Sequence, residues 1–146
     1  MLETDIQVLD NLRLVDQLIE AFNKHDLDQF MDFYDESALY YAPTQAEPLK
    51  GRDAIRVGFE SFFSAFPDVK IEKIRAFGQD DWSCTEVILT GTHTGPLMSP
   101  NNETIPATNK PIRVPMCLVI NVKDGKMIEL RDYNDQRGFL AQLGLQ

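Results

Sequence analysis

The segment "IELRDYND", Ile128 to Asp135, decides how the second half of the chain is read. With the two-residue period of a β-strand, it sets Ile128, Leu130 and Asp132 on one face and Glu129, Arg131 and Tyr133 on the other. A carboxylate then stands where the apolar pattern asks for another branched aliphatic side chain. Just upstream, "KDGK" (Lys123–Lys126) supplies a turn, and Gly125 fits the left-handed residue of a three-residue loop with a bulge. In that register Val122 pairs with Lys126, Leu118 with Leu130 and Met116 with Asp132. A two-residue turn at Asp124-Gly125 would instead pair Cys117 with Asp132. The first register is preferred, because it gathers Met116, Leu118, Ile120, Ile128 and Leu130 on one face and leaves Asn121, Glu129 and Arg131 on the other.

Outward from this hairpin, "VKIEKIRAF" (69–77), "WSCTEVILTGTHTG" (82–95) and "PIRVPMCLVINV" (111–122) also read as strands rich in β-branched residues. The stretch "PLMSPNNETIPATNKP" (96–111) has no periodicity and many prolines and asparagines, so it predicts a long loop of the kind that often carries function. The first half has helical spacing. Ile6, Leu9, Val15, Leu18, Ile19 and Phe22 predict an amphipathic helix over about residues 5–24. A short second helix follows, with Asp26 as its N-cap and Phe30 and Phe33 or Tyr34 as its buried side. "SALYYA" (37–42) is a short strand ended by Pro43. "RDAIRVGFESFFSAF" (52–66) is a third helix that buries Ile55, Phe59, Phe62, Phe63 and Phe66 and stops at Pro67. "RGFLAQL" is a last short helix closed by Gly144. Helices first and strands second predict a single α+β domain over residues 1–146, with helices packed on one face of a curved antiparallel sheet.

Composition narrows the partners. Asp and Glu number 23 against 14 Lys and Arg, a formal charge of −9, which disfavours nucleic acid and anionic membranes. No apolar run is long enough to span a bilayer, and the acidic N-terminus has no basic segment of a secretory signal, so the expected location is cytoplasmic. Cys84 and Cys117 lie in strand-like stretches without C-x-x-C spacing and read as reduced, packed thiols. With only His25 and His93 available, no multi-histidine metal site is expected.

The order helix, helix, strand, helix, four strands resembles the nuclear-transport-factor-2-like superfamily of cone-shaped α+β folds, and within it the SnoaL-like polyketide cyclases. The pieces that carry the resemblance are "AFPD" (65–68), "GTHTG" (91–95), "IPATNKP" (105–111), "DGKMIELRDYND" (124–135) and "QLG" (142–144), and together they cover nearly the whole chain. The resemblance implies a pocket enclosed by the concave sheet face and the N-terminal helices. It also implies an acid/base aspartate in the last strand, in an R-D-aromatic-x-D context, which here is Asp132. Departures from the relatives are equally informative. Limonene epoxide hydrolases place an Arg and a second Asp where this chain has Val87 and Leu89. Ketosteroid isomerases carry a base Asp before a proline, where Ala42 precedes Pro43. SnoaL's pocket histidine aligns with Leu118.

Asp132 is therefore the first candidate: a carboxyl in an apolar pocket has a raised pKa and can exchange protons near neutrality. His93 is in phase with Val87 and Leu89 and is the second catalytic candidate, near the end of its strand. Tyr40, Phe62, Val87, Leu89, Met116 and Leu118 are the expected substrate-binding residues. Asp135 reads as the N-cap of the last helix, and Asn109 as a left-handed turn residue. The function expected is an enzyme in which Asp132 moves a proton on a small, largely apolar, carbonyl-containing molecule, as in a cyclisation or isomerisation. It needs no metal and no cofactor. The alternatives are a small-molecule-binding protein and a dimeric interaction module on the same fold. The resemblance also implies a homodimer through the outer sheet face, which alternates Cys117, Val119, Glu129, Arg131 and Tyr133.

Overall fold

The computed structural model describes residues 3–99 and 101–145, without the side chain of Thr4. Pro100, one of the loop prolines noted above, lies outside the described residues. Helix α1 (Glu3–Asn23) buries Val15, Leu18, Ile19 and Phe22, as its spacing predicts. In its first turns Ile6 and Leu9 stay about half exposed. Helix α2 (Leu27–Asp32) is capped by Asp26, whose carboxylate accepts from the Gln29 N–H at 3.1 Å. Only Phe33 separates it from Tyr34, which opens strand β1 (Tyr34–Tyr41) instead of closing the helix. A two-residue strand β2 (Leu49–Lys50) leads into α3 (Arg52–Ala65). In α3 Ile55 and Ala65 are fully buried, as is Phe66 just beyond it, while Phe59, Phe62 and Phe63 are only half-buried.

The second half is built from β3 (Lys70–Gln79), β4 (Trp82–Thr92), β7 (Pro111–Lys123) and β8 (Lys126–Asn134), followed by α4 (Gln136–Gln142). The long loop is not structureless, since β5 (Leu97–Met98) and β6 (Thr104–Ile105) form a small hairpin within it. The main sheet has the order β2-β1-β8-β7-β4-β3. Its pairs are antiparallel except β1 with β8, which is parallel. The sheet is thus mixed and not wholly antiparallel as expected, because β2, α3 and the β3–β7 strands supply the long connection that a parallel pair needs. Helix α1 lies across β3 and β4, α3 packs on β1 and the β5–β6 hairpin, and α4 packs on β7.

Several short motifs owe their form to polar ties. Asp68 of "AFPD" accepts from the Thr92 N–H at 2.7 Å and from its hydroxyl at 2.8 Å, which anchors "GTHTG". Gly95 closes that motif against the end of α3, where a Cβ would collide with the Ser64 carbonyl oxygen. Gln142 of "QLG" takes the Arg113 N–H at 2.6 Å and donates to the Arg113 carbonyl at 3.0 Å, docking α4 on β7. Asn109 has φ 60°, the left-handed conformation expected of it. Asp135 caps α4 through the Gly138 N–H at 2.9 Å.

The β7–β8 hairpin departs from the expected register. Lys123 pairs with Lys126 across a two-residue turn in which Asp124 (φ 52°) and Gly125 (φ 75°) both have positive φ. This is a type I′ turn, whose twist matches that of the strands and which Asp-Gly favours. A bulge follows: Val122 pairs with Met127, but Asn121 pairs with Glu129. Fully buried Met127 takes the inner place expected of Ile128, which is half-buried. Beyond the bulge Ile120 pairs with Leu130 and Leu118 with Asp132, two residues away from the expected Met116–Asp132 pair. A shift of two preserves the face, so Asp132 and Leu130 remain inward with Leu118 and Ile120.

Candidate active site

Between the sheet and the helices lies a cavity of about 570 Å³. Phe22, Phe30, Phe59 and Phe62 from the helices face Leu89, Val114, Met116, Leu118 and Leu130 from the sheet across it. Its mouth is marked by Pro43, Thr44, Gln45, Met98, Ser99 and Asn102, the last three from the β5–β6 hairpin. Among the described residues, Asp132 is the only charged side chain in the lining. No three of their His, Cys, Asp and Glu gather to hold a metal ion.

Asp132 is 9% exposed. Its Oδ2 accepts the Tyr40 hydroxyl at 2.8 Å and its Oδ1 the Asn134 amide at 2.8 Å. Burial holds its carboxyl above the ordinary carboxylate range, and the bonds from Asn134 and Tyr40 pull the other way without cancelling that effect. A carboxylate offers about four acceptor positions, so two remain for a proton or a ligand donor. Burial also pushes the Tyr40 phenol well up, with the Asp132 charge adding to it, so Tyr40 stays a neutral donor. The bond between them is charge-assisted and fixes the carboxylate plane. Strand β8 supplies Asp132 and Asn134 from the same face, and its parallel neighbour β1 supplies Tyr40, which pairs with Leu130.

The structure brings most of the expected residues together. Tyr40, Phe62, Leu89, Met116 and Leu118 line the cavity with Asp132. Val87 and His93 do not line it. Both face inward and are fully buried, but within the core. His93 stacks on Phe66 at 5.2 Å between centroids, and its Nδ1 accepts the Thr108 N–H at 3.2 Å and lies 3.0 Å from the Thr108 hydroxyl. Burial lowers its pKa, against a smaller opposing effect of the Gly95 backbone. His93 is thus a neutral ring that holds the loop after β6 to the strand end. Asn134 was not anticipated, although the alternation Asp132, Asn134 places both on one face. Tyr34 was not anticipated either, because the segment before it reads as a continuing helix; it lines the cavity at 1% exposure.

A curved sheet packed against helices, with a buried carboxylate in the lining of an apolar cavity, is an arrangement of the ketosteroid isomerase-like fold. A protein from Catenulispora acidiphila described as having that fold is similar at a TM-score of 0.74 and 18% identity, over 91% of this chain and 93% of that one. The profile of SnoaL-like polyketide cyclases matches residues 12–143, and the chain belongs to that family. A structure assigned as a SnoaL-like polyketide cyclase from Jannaschia sp. CCS1 superposes with a TM-score of 0.84 at 17% identity, covering 95% of this chain and 94% of that one. In sequence, the chain is 27% identical over 133 residues to the aklanonic acid methyl ester cyclase DnrD of Streptomyces peucetius, covering 90% of this chain and 88% of the relative. Among the described residues, no helix is long and apolar enough to cross a membrane.

Proposed function

We propose that the chain is an enzyme in which Asp132 takes a proton from, and returns it to, a carbon beside a carbonyl group of a neutral, largely apolar molecule, as in an aldol-type ring closure or an isomerisation. The observation that carries this reading is a single carboxyl of raised pKa, the one charged side chain in the described lining of a mainly apolar cavity, which keeps free acceptor positions beside its bonds from Tyr40 and Asn134. A base of this kind abstracts a proton and remains close enough to deliver it to the new alkoxide or carbon. The relative DnrD is named for a methyl-esterified acid. Among the described residues the lining has no Lys, Arg or His, which supports the same preference here, since a free carboxylate would meet Asp132 with nothing to neutralise it. The test is turnover: aklanonic acid methyl ester and a panel of neutral aryl ketones are incubated with the protein in deuterated water, and mass spectrometry follows ring closure and deuterium uptake beside the carbonyl. Uptake that depends on Asp132 supports the reading. Uptake equal to that of buffer for every compound overturns it.

A binding protein without turnover is the second reading, and one observation favours it. Both oxygens of Asp132 already have partners in Tyr40 and Asn134, as a purely structural carboxylate would.

A further inference from the structure

Among the described residues, four buried polar side-chain atoms have no hydrogen-bond partner: Tyr34 Oη, Ser83 Oγ, Thr85 Oγ1 and His93 Nε2. Only Tyr34 of these residues lines the cavity. A buried hydroxyl without a partner destabilises a fold relative to an apolar ring of the same shape. Phenylalanine would fill this position as well, beside Phe30 at 5.4 Å and Phe59 at 6.4 Å. The oxygen thus contributes nothing to the empty protein's packing that the ring does not.

Its place in the fold says where a partner would come from. Tyr34 pairs with Met127 on β8, while Tyr40 pairs with Leu130 and β1 then runs on to Pro43 at the mouth. Tyr34 therefore sits at the inner end of the cavity, beyond Asp132 as seen from the mouth. Burial and the nearby Asp132 charge both raise its pKa, so the group remains a donor. The oxygen has almost no accessible surface. Phe59, half-buried and in the cavity lining, packs near both tyrosines, with ring centroids 6.4 Å from Tyr34 and 5.6 Å from Tyr40.

We propose that the Tyr34 hydroxyl is a ligand-binding donor at the inner end of the cavity, which receives a carbonyl oxygen of the ligand when Phe59 turns aside. The cavity then selects molecules with an acceptor at their leading end, and Tyr34 orients the carbonyl relative to Asp132. This rests on the cavity being a ligand site, but not on turnover.

The experiment compares α-tetralone with tetralin, two bicyclic probes that differ by the one carbonyl oxygen. Affinities are measured by calorimetry or protein fluorescence for the unaltered protein, Tyr34→Phe and Tyr40→Phe. The unaltered protein is expected to bind the ketone roughly two- to tenfold more tightly than the hydrocarbon, the worth of one neutral hydrogen bond. In Tyr34→Phe the ratio falls to near one, with tetralin affinity unchanged and thermal stability level or higher. In Tyr40→Phe the preference survives. A ratio unchanged by Tyr34→Phe overturns the proposal, as do no ketone preference in the unaltered protein, binding of neither probe, or a melting temperature several degrees lower in Tyr34→Phe. Because the readout is affinity, loss of Asp132-dependent turnover and loss of this preference are separate failures.

Discussion

Replacing Asp132 by Asn separates a catalytic carboxylate from a structural one. Asn has the same shape, its carbonyl can still accept the Tyr40 hydroxyl, and its amide can donate to Asn134 once that amide turns over; the two 2.8 Å contacts therefore have substitutes. What disappears is a group that cycles a proton. Removing a general acid/base typically lowers the rate about 100- to 10,000-fold, or about 2.7–5.5 kcal/mol on the barrier. Stability should move little, and in a definite direction with pH. Burial raises the Asp132 pKa above its unfolded value near about 4. The folded protein therefore holds this proton more tightly than the unfolded chain, and its stability falls as pH climbs from that ordinary value through the raised folded one. Asn does not titrate, so the stability gap between variant and unaltered protein should favour the variant increasingly over that window and close in acid. Thermal melts from about pH 4 to about pH 8, run beside the deuterium-uptake assay, measure both effects. A variant that lost about 3 kcal/mol or more would refute the reasoning, since breaking a buried hydrogen-bonded network has that size. So would undiminished uptake.

Tyr40→Phe removes one of the two bonds that lower the Asp132 pKa, so the acid limb of the rate profile should move to higher pH; an unmoved limb in a folded variant would show that the 2.8 Å bond does not tune the base. A methyl ester should bind more tightly than its free acid at neutral pH, with the gap narrowing as the acid is protonated; equal affinities would place a cation in the lining that the structure does not show. Two copies of the chain are proposed to pair through the outer sheet face, where half-buried Cys117 and Val119 adjoin Tyr133 at 53% exposure and the Arg131 guanidinium lies 4.0 Å over the Tyr41 ring. Light scattering at micromolar concentration should give twice the chain mass, and a monomer mass would count against the pairing.

The position of Asp132 was legible in the sequence even though its partner was not. The reading put a three-residue turn at Gly125, whereas the chain uses a type I′ turn and then inserts Ile128 as a bulge. Each change alone inverts the side-chain parity of β8 relative to the turn, and the two together restore it. Strand parity is written in the alternation of "IELRD", because one face must be buried. Register depends on the turn and bulge, whose alternatives differ by little energy and leave little trace in composition. For the same reason β2, β5 and β6, each two residues long, were not seen. A two-residue strand has no period.

The harder distinction is between facing inward and facing the cavity. Period-two reading put Val87, Leu89 and His93 on one face of β4, and all three are buried there. Only Leu89 reaches the cavity. Phe66 lies over His93, at 5.2 Å, and occupies the space the ring would need to meet a ligand. No local pattern in β4 encodes that contact, because it depends on where α3 ends and how Pro67 turns the chain back toward β3. Tyr34 is the opposite case, because helical spacing from Phe30 hides a strand residue behind a core pattern. Inward orientation is a local property of a strand. Whether the space beyond a side chain is filled or open is settled by the element that packs over it, here an aromatic helix whose half-buried Phe59 and Phe62 stop short of filling the sheet's inner face. Asp132 does line the cavity, because a carboxylate cannot be buried against a packed ring without a partner; its chemistry requires open or polar space, and the fold provides it.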